Sequence, residues 1–253
     1  MLDYKNVYLV SEKLDTVSTT QVDTAAVQLR TGFPSGYQEY VSLLGIGMFC
    51  EYVYVFPPQK VVDEVATYQQ VFQEYSSVWS DDNSPIGKEE LGDLIVFAQT
   101  VDIDKIAFHP RRPDQILMVP YTDDSIYEIG SNFYDALGWL YNFGVSDASD
   151  FMWFNSSVDQ KYVRFFGTYQ ADLVSELAGV IRSLDPRTNV QSFADETWCF
   201  CRPINGYFLI NKTGAKMSIS CVFDKETRPL VDKIVTFLKE RELPMVAEGD
   251  CKK

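Results

Sequence analysis

The chain has 253 residues, room for one large domain or two of ordinary size. Hydrophobic residues make up 46% of it and aromatic residues 14%, which excludes global disorder and favours a strand-bearing fold over a pure helical bundle. The net charge of −14 is held unevenly: residues 1–145 carry 8 Lys/Arg against 21 Asp/Glu, net −13, and residues 146–253 carry 14 against 15, net −1. That asymmetry argues against nucleic-acid binding by the first half, because carboxylate repels phosphate, and suits the steering of a basic partner. Acidity also serves plain solubility, so charge alone decides nothing further.

In chain order, Val7–Val10 forms a short apolar segment. Ser18 with Gln21 three residues on makes a capping box that opens a helix, with Val22, Ala25, Ala26 and Leu29 along one face. Gly32-Phe33-Pro34-Ser35-Gly36 breaks it, and Tyr37, Tyr40, Val41 and Leu44 start a second short helix that ends at Gly45-Ile46-Gly47. Tyr52–Phe56 alternates as a strand does and stops at Pro57-Pro58. Residues 60–79 are the clearest helix, with Val61, Val65, Tyr68, Phe72, Tyr75 and Trp79 at steps of three and four. Leu94–Phe97, Lys105–Phe108 and Gln115–Val119 follow at roughly ten-residue spacing, the pattern of an antiparallel meander. Ile126–Glu128 adds a strand, and Ser131 is the expected cap of a helix carrying Phe133, Leu137 and Leu140, stopped at Gly144.

The polar stretch Val145–Asp150 marks a boundary, giving domains 1–145 and 146–253. In the second, Tyr162–Phe166 is a strand and Leu173–Leu184 a helix. Thr197–Arg202 and Tyr207–Ile210 form a hairpin through Asn205-Gly206. Met217–Phe223 is a strand, and Pro229 opens a last helix. The expected fold class is α+β throughout: an acidic domain whose antiparallel or mixed sheet is flanked by helices, then a smaller β-α-β-β-β-α domain of open role.

Chemistry is sparse. The single histidine, His109, ends a strand and is expected at the surface or capping a turn; no Gly-x-Ser-x-Gly elbow accompanies it. Cys199 and Cys201 share one strand face, but no second pair lies at zinc-finger spacing, so they are expected to pack as small hydrophobes. Gly45-Ile46-Gly47 lacks the third glycine of a dinucleotide loop, and no Walker sequence occurs. No cofactor, no metal and no catalysis are expected, with a carboxylate hydrolase as the weakest of three readings. Five cysteines without framework spacing, no apolar run of membrane length and no visible secretory signal point to a cytoplasmic protein.

The helix before Phe33-Pro34-Ser35-Gly36-Tyr37, then Tyr40, the Gly45-Ile46-Gly47 turn and Leu91-Gly92-Asp93-Leu94-Ile95-Val96-Phe97, together with the segment Ile126–Leu140, resemble the SUKH superfamily. That superfamily includes cell-wall-assembly regulators and bacterial immunity proteins, and the resemblance covers residues 17–145. Gly92 is expected to permit an unusual backbone angle before the strand. The resemblance implies a binding module that neutralises a toxin, a basic nuclease in view of the charge. The alternative is a regulatory or scaffold protein with another protein partner. Residues 61–135 hold 15 Asp/Glu against 4 Lys/Arg, so the acidic face is expected there. Asp81, Asp82, Asp123 and Asp124, in expected loops, and the aromatic Trp79 are the candidate partner-binding residues. Ordinary turn chemistry is the favoured explanation of each of the four aspartates, and core packing that of Trp79. Neither direct nucleic-acid nor membrane contact is expected. Strands apolar on both sides, such as Trp198-Cys199-Phe200, are compatible with burial in a homodimer or under helices.

Overall fold

The computed structural model describes residues 4–76, 84–122, 125–144, 151–156, 158–193 and 195–251. The chain is α+β and divides into two units, Met1–Tyr8 with Leu14–Ser156 and Leu9–Lys13 with Ser157–Lys253. No helix among the described residues is long and apolar enough to cross a membrane.

Unit 1 contains helices α1 (Thr19–Leu29), α2 (Tyr37–Leu43), α3 (Pro58–Ser76) and α4 (Phe133–Gly144). The capping box at α1 forms as its sequence dictates: Ser18 Oγ accepts from the Gln21 N–H at 3.3 Å, and the Gln21 side chain accepts from the Ser18 N–H at 2.9 Å. Gly36, at φ +90°, turns the chain into α2, whose Tyr37, Tyr40 and Val41 are buried. Pro58 both ends the preceding strand and opens α3, where its missing N–H costs nothing. At α4 the cap is Asn132 rather than Ser131. Asn132 Oδ1 accepts from the Asp135 N–H at 3.0 Å, a bond within reach of the residue immediately before the helix.

The sheet of this unit has eight strands: β1 (Tyr8–Leu9), β2 (Met48–Phe49), β3 (Val53–Val55), β4 (Ile95–Thr100), β5 (Lys105–His109), β6 (Arg112–Val119), β7 (Tyr127–Gly130) and β8 (Trp153–Asn155). Their order is β1-β8-β2-β3-β4-β5-β6-β7, antiparallel from β8 to β7. The consecutive run β4–β7 is the expected meander. The domain boundary expected after residue 145 is corrected by β8, which continues unit 1 to Ser156 by pairing with β2. The core is aromatic. Phe97 meets Phe133, Phe108 and Tyr37 edge-on, with centroids 5.2, 5.7 and 5.8 Å apart.

Unit 2 is built on a six-stranded antiparallel sheet, made of β9 (Gln160–Thr168), β10 (Asn189–Phe193), β11 (Glu196–Cys201), β12 (Gly206–Thr213), β13 (Lys216–Asp224) and β14 (Met245–Asp250). The order is β10-β11-β12-β13-β9-β14. Helices α5 (Ala171–Leu184) and α6 (Arg228–Glu240) supply Leu177, Ile181, Ile234 and Leu238 to one core with the sheet. Cys199 and Cys201 enter that core together because strand side chains alternate. The expected two-residue Asn-Gly turn is replaced by a four-residue link: a 3-10 turn, Arg202–Ile204, closed by Asn205 at φ 45°, while Gly206 has no positive φ and begins β12. The expected β-α-β-β-β-α order is therefore extended by two edge strands, β10 and β14. The segment Leu9–Lys13 is held in this unit: Lys13 Nζ lies 2.7 Å from Asp224 Oδ2, whose side chain is 1% exposed.

Candidate functional site

Eight large hydrophobic side chains of unit 1 are exposed among its described residues: Val27, Leu43, Val71, Val101, Ile103, Tyr121, Tyr127 and Phe143. Strand register places the last five at one end of the sheet. There β4 leaves at Thr100, β5 enters at Lys105 opposite Val119 of β6, and β7 enters with Tyr127 opposite Met118. Helix α4 finishes at the same end, since Gly144 lies against the Tyr52 ring and the Tyr52 carbonyl accepts from the Val101 N–H at 2.9 Å. Lone exposed apolar residues are ordinary; five gathered at one end of a sheet are the pattern of an interaction surface.

The centre of this surface is the tight turn between β4 and β5. Asp104, 8% exposed, organises it. Its Oδ2 accepts from the Thr100 hydroxyl at 3.0 Å, its Oδ1 accepts from the Tyr121 N–H at 2.9 Å, and the Thr100 Oγ1 accepts from the Asp104 N–H at 3.2 Å. The turn projects Val101, Asp102 and Ile103 into solvent, at 54% exposure for Val101 and 43% for Ile103. Ile103 sits at φ +65°, a region that a β-branched side chain enters at a cost of about 1–3 kcal/mol. The buried Thr100–Asp104–Tyr121 network imposes that strain and holds apolar tips rigidly outward, which lowers the entropy lost on binding.

From Pro113 to Gln160 the sequence holds eight acidic residues and no lysine or arginine; its described part runs through β6, β7, α4 and β8 and reaches unit 2 at Asp159, and at the sheet end itself Lys105 follows Asp102 and Asp104. Asp114, Glu128 and Asp135 accept hydrogen bonds from neutral groups, the Ser35 N–H and the amides of Gln115 and Asn132. Arg111 and Arg112, just before the stretch, are both spent on Glu90. Burial pushes the Tyr52 phenol up to about 12, and the adjacent carboxylates of Asp102 and Asp104 add to the shift.

Of the residues singled out in the sequence, Trp79, Asp81, Asp82, Asp123 and Asp124 lie outside the described residues. Tyr121, two positions before Asp123, is 70% exposed on this surface. Sequence reading missed Val101, Ile103, Tyr121, Tyr127 and Phe143, since apolar residues bordering strands read as core. The signal that could have found Tyr121, Tyr127 and Phe143 is the cation-free run from 113 to 160; Val101 and Ile103 lie outside it.

His109 corrects an expectation. It is fully buried rather than at the surface, yet it does cap a turn: Nδ1 accepts from the Arg111 N–H at 3.2 Å across the β5–β6 hairpin. The proton of the neutral ring is therefore on Nε2, which stands 3.7 Å from Asp93 Oδ2, beyond hydrogen-bond length. With its lone pair occupied by a backbone N–H, His109 has no site left to act as a general base in this arrangement. Burial lowers its pKa, and the arginines 111 and 112 reinforce the lowering against Glu90 and Asp93. A depressed folded-state value means stability that is full above about pH 6.5 and falls as pH drops below it. Between pH 7.5 and 5.5 the wild-type chain should lose stability through this group. His109→Gln, whose amide oxygen can still accept from Arg111, should lose none. Urea midpoints of the two proteins at both pH values check this, and parallel losses would contradict it.

The cysteines offer no reactive thiol in the core: burial pushes Cys199 up to about 11 and Cys201 up to about 12. Gly92 takes no positive φ, contrary to expectation; the left-handed glycines of unit 1 are Gly36 and Gly45. No group of three or more His, Cys, Asp or Glu among the described residues is placed to hold a metal ion. A cavity of about 240 Å³ opens between the first turn of α1 and Pro57–Gln59, and its lining carries no ionisable side chain, so it supplies no acid–base pair. No protein-family model, no curated protein and no solved structure matches the chain.

Proposed function

We propose that the chain is a non-catalytic protein-binding module that engages a basic protein through the apolar, acidic end of unit 1. The observation that supports this reading is the gathering of five exposed hydrophobic side chains around a strained, internally braced turn, three of them (Tyr121, Tyr127 and Phe143) in a cation-free stretch of the sequence. Apolar tips supply binding energy, and surrounding carboxylates steer and select a partner of opposite sign. Joined to the SUKH-like order of residues 17–145, the reading becomes an immunity protein that neutralises a toxin, a basic nuclease whose phosphate-binding site an acidic surface can block.

The test is co-expression with the product of the adjacent gene. The expected result is a complex that survives gel filtration at low salt and protects the host cell from that product. Neither complex nor protection would sink the immunity reading.

A further inference from the structure

A sheet ends in a row of unsatisfied backbone groups that invites another strand, and folds blunt such edges with charge, proline, bulges or shortness. Among the described residues, β1, β7 and β14 are edges blunted in these ways. β1 has two residues, and β7 carries Glu128 beside a register shift against β6. β14 has a bulge between Met245 and Ala247 and carries Glu248 and Asp250. The remaining edge, β10 of unit 2, has none of these devices. Its five residues, Asn189-Val190-Gln191-Ser192-Phe193, include no charge and no proline, and they pair with β11 without a shift from Asn189↔Phe200 to Phe193↔Glu196.

The ladder decides which backbone groups point outward. The Lys212 N–H donates to the Asp195 carbonyl at 2.8 Å, so β11 turns its odd-numbered residues' backbone groups to β12 and its even-numbered ones to β10. Through the register, Asn189, Gln191 and Phe193 bond inward to Phe200, Trp198 and Glu196, and Val190 and Ser192 direct their N–H and C=O groups away from the sheet. Ser192 is exposed and Val190 is only partly buried against the core. Helix α5 lies on β11 and α6 on β13, and the Glu176–Arg241 pair ties one flank of α5 to the end of α6. The opposite flank, with Val174 and Ala178, therefore looks toward the β10 side.

The occupant that fits is a second copy of the chain. A copy of β10 turned about a two-fold axis through Gln191 continues the antiparallel sheet. That register sets Val190 opposite Ser192 of the other copy, so every outward N–H meets an outward carbonyl. Gln191 then faces Gln191, and no like charges oppose each other across the junction. Net charge also favours self-contact by unit 2: residues 146–253 carry −1, whereas residues 1–145 carry −13 and repel their own kind. A basic protein, by contrast, would find no carboxylate on β10. We infer that β10 is the interface of a homodimer, in which two copies join their unit 2 sheets edge to edge about an axis at Gln191. The dimer does not depend on the partner surface of unit 1, and its test stands apart from the co-expression test.

Sedimentation velocity of the full chain should show a monomer–dimer equilibrium. Gln191→Lys and Gln191→Glu each set like charges face to face and should each weaken the dimer about tenfold or more. An equimolar mixture of the two should restore it, because unlike charges then meet. Lysine reduces the net charge of −14, so weakening by Gln191→Lys cannot come from bulk repulsion. Amide exchange in the wild-type chain needs no variant. It should slow with rising protein concentration at Val190 and Ser192 and stay constant at Asn189 and Gln191, which are already bonded within the sheet. A wild-type chain that stays monomeric overturns the dimer and leaves the edge to a foreign strand. A dimer that both variants leave intact overturns the β10 interface, as does exchange that slows equally at odd and even positions or at none. A mixture of folded variants, verified by circular dichroism, that fails to dimerise removes Gln191 from the axis and overturns it as well.

Discussion

Asp104→Ala should lower the stability of unit 1 by about 2 kcal/mol, a large loss for a turn residue. The carboxylate is buried and accepts from the Thr100 hydroxyl and the Tyr121 N–H. Its removal leaves two donors without partners, each worth about 1–3 kcal/mol when buried, offset in part by relief of the carboxylate's own desolvation. Asp104→Asn keeps one acceptor oxygen and should lose about half as much. Urea denaturation checks the stability effect. The turn that projects Val101 and Ile103 also loses its brace, so partner binding should fall together with stability. Wild-type stability in Asp104→Ala would show that the network does not hold the turn.

Gly45→Ala should cost about 3 kcal/mol and is the second large effect. Gly45 has φ +86°, which an alanine adopts only under strain, and a Cβ there would stand 2.5 Å from the Asp15 carbonyl oxygen. That oxygen belongs to backbone and already accepts from the Ile46 N–H at 2.9 Å, so it cannot step aside without breaking a bond. Two positions on, a Cβ at Gly47 would meet the Asn155 carbonyl oxygen at 2.2 Å, where β2 and β8 converge. The expected result is a lowered denaturation midpoint with an unchanged fold. A loss below about 1 kcal/mol would show that the loop relaxes around the added methyl.

These two residues show what could be read in the sequence and what could not. Gly45-Ile46-Gly47 stood out as a turn because glycine pairs punctuate a chain, and the structure adds the backbone carbonyls that make the glycines necessary. The Ser18–Gln21 box, the period of α3 and the β4–β7 meander follow from local rules alone, and each formed where those rules place it among the described residues, which for α3 end at Ser76. The strands β8, β10 and β14 escaped notice because they are short or polar; β8 and β14 are fixed by non-local pairing, whereas β10 forms a tight hairpin with β11. β14 reads Met-Val-Ala-Glu-Gly-Asp, mostly exposed, and exists by pairing with β9. The candidate surface was hidden for a related reason. Nothing in Val101-Asp102-Ile103-Asp104 distinguishes outward tips from a strand end, because that depends on where Tyr52 and Tyr121 return to brace the turn.

Two variant proteins decide whether this surface binds the partner. The first, Ile103→Asn/Tyr121→Ala/Phe143→Ser, removes apolar tips at the sheet end. The second, Val27→Ser/Leu43→Ser/Val71→Ser, removes three exposed hydrophobic side chains elsewhere on unit 1. Both should keep their stability to within about 1 kcal/mol, since exposed positions tolerate change and asparagine accepts the left-handed angle that isoleucine resists. The deciding measurement is the Kd of each for the product of the adjacent gene, by calorimetry. The sheet-end variant should bind about a hundredfold more weakly than wild type, and the control within about twofold of it. Wild-type affinity in the sheet-end variant, or an equal loss in both, would contradict the assignment of this surface.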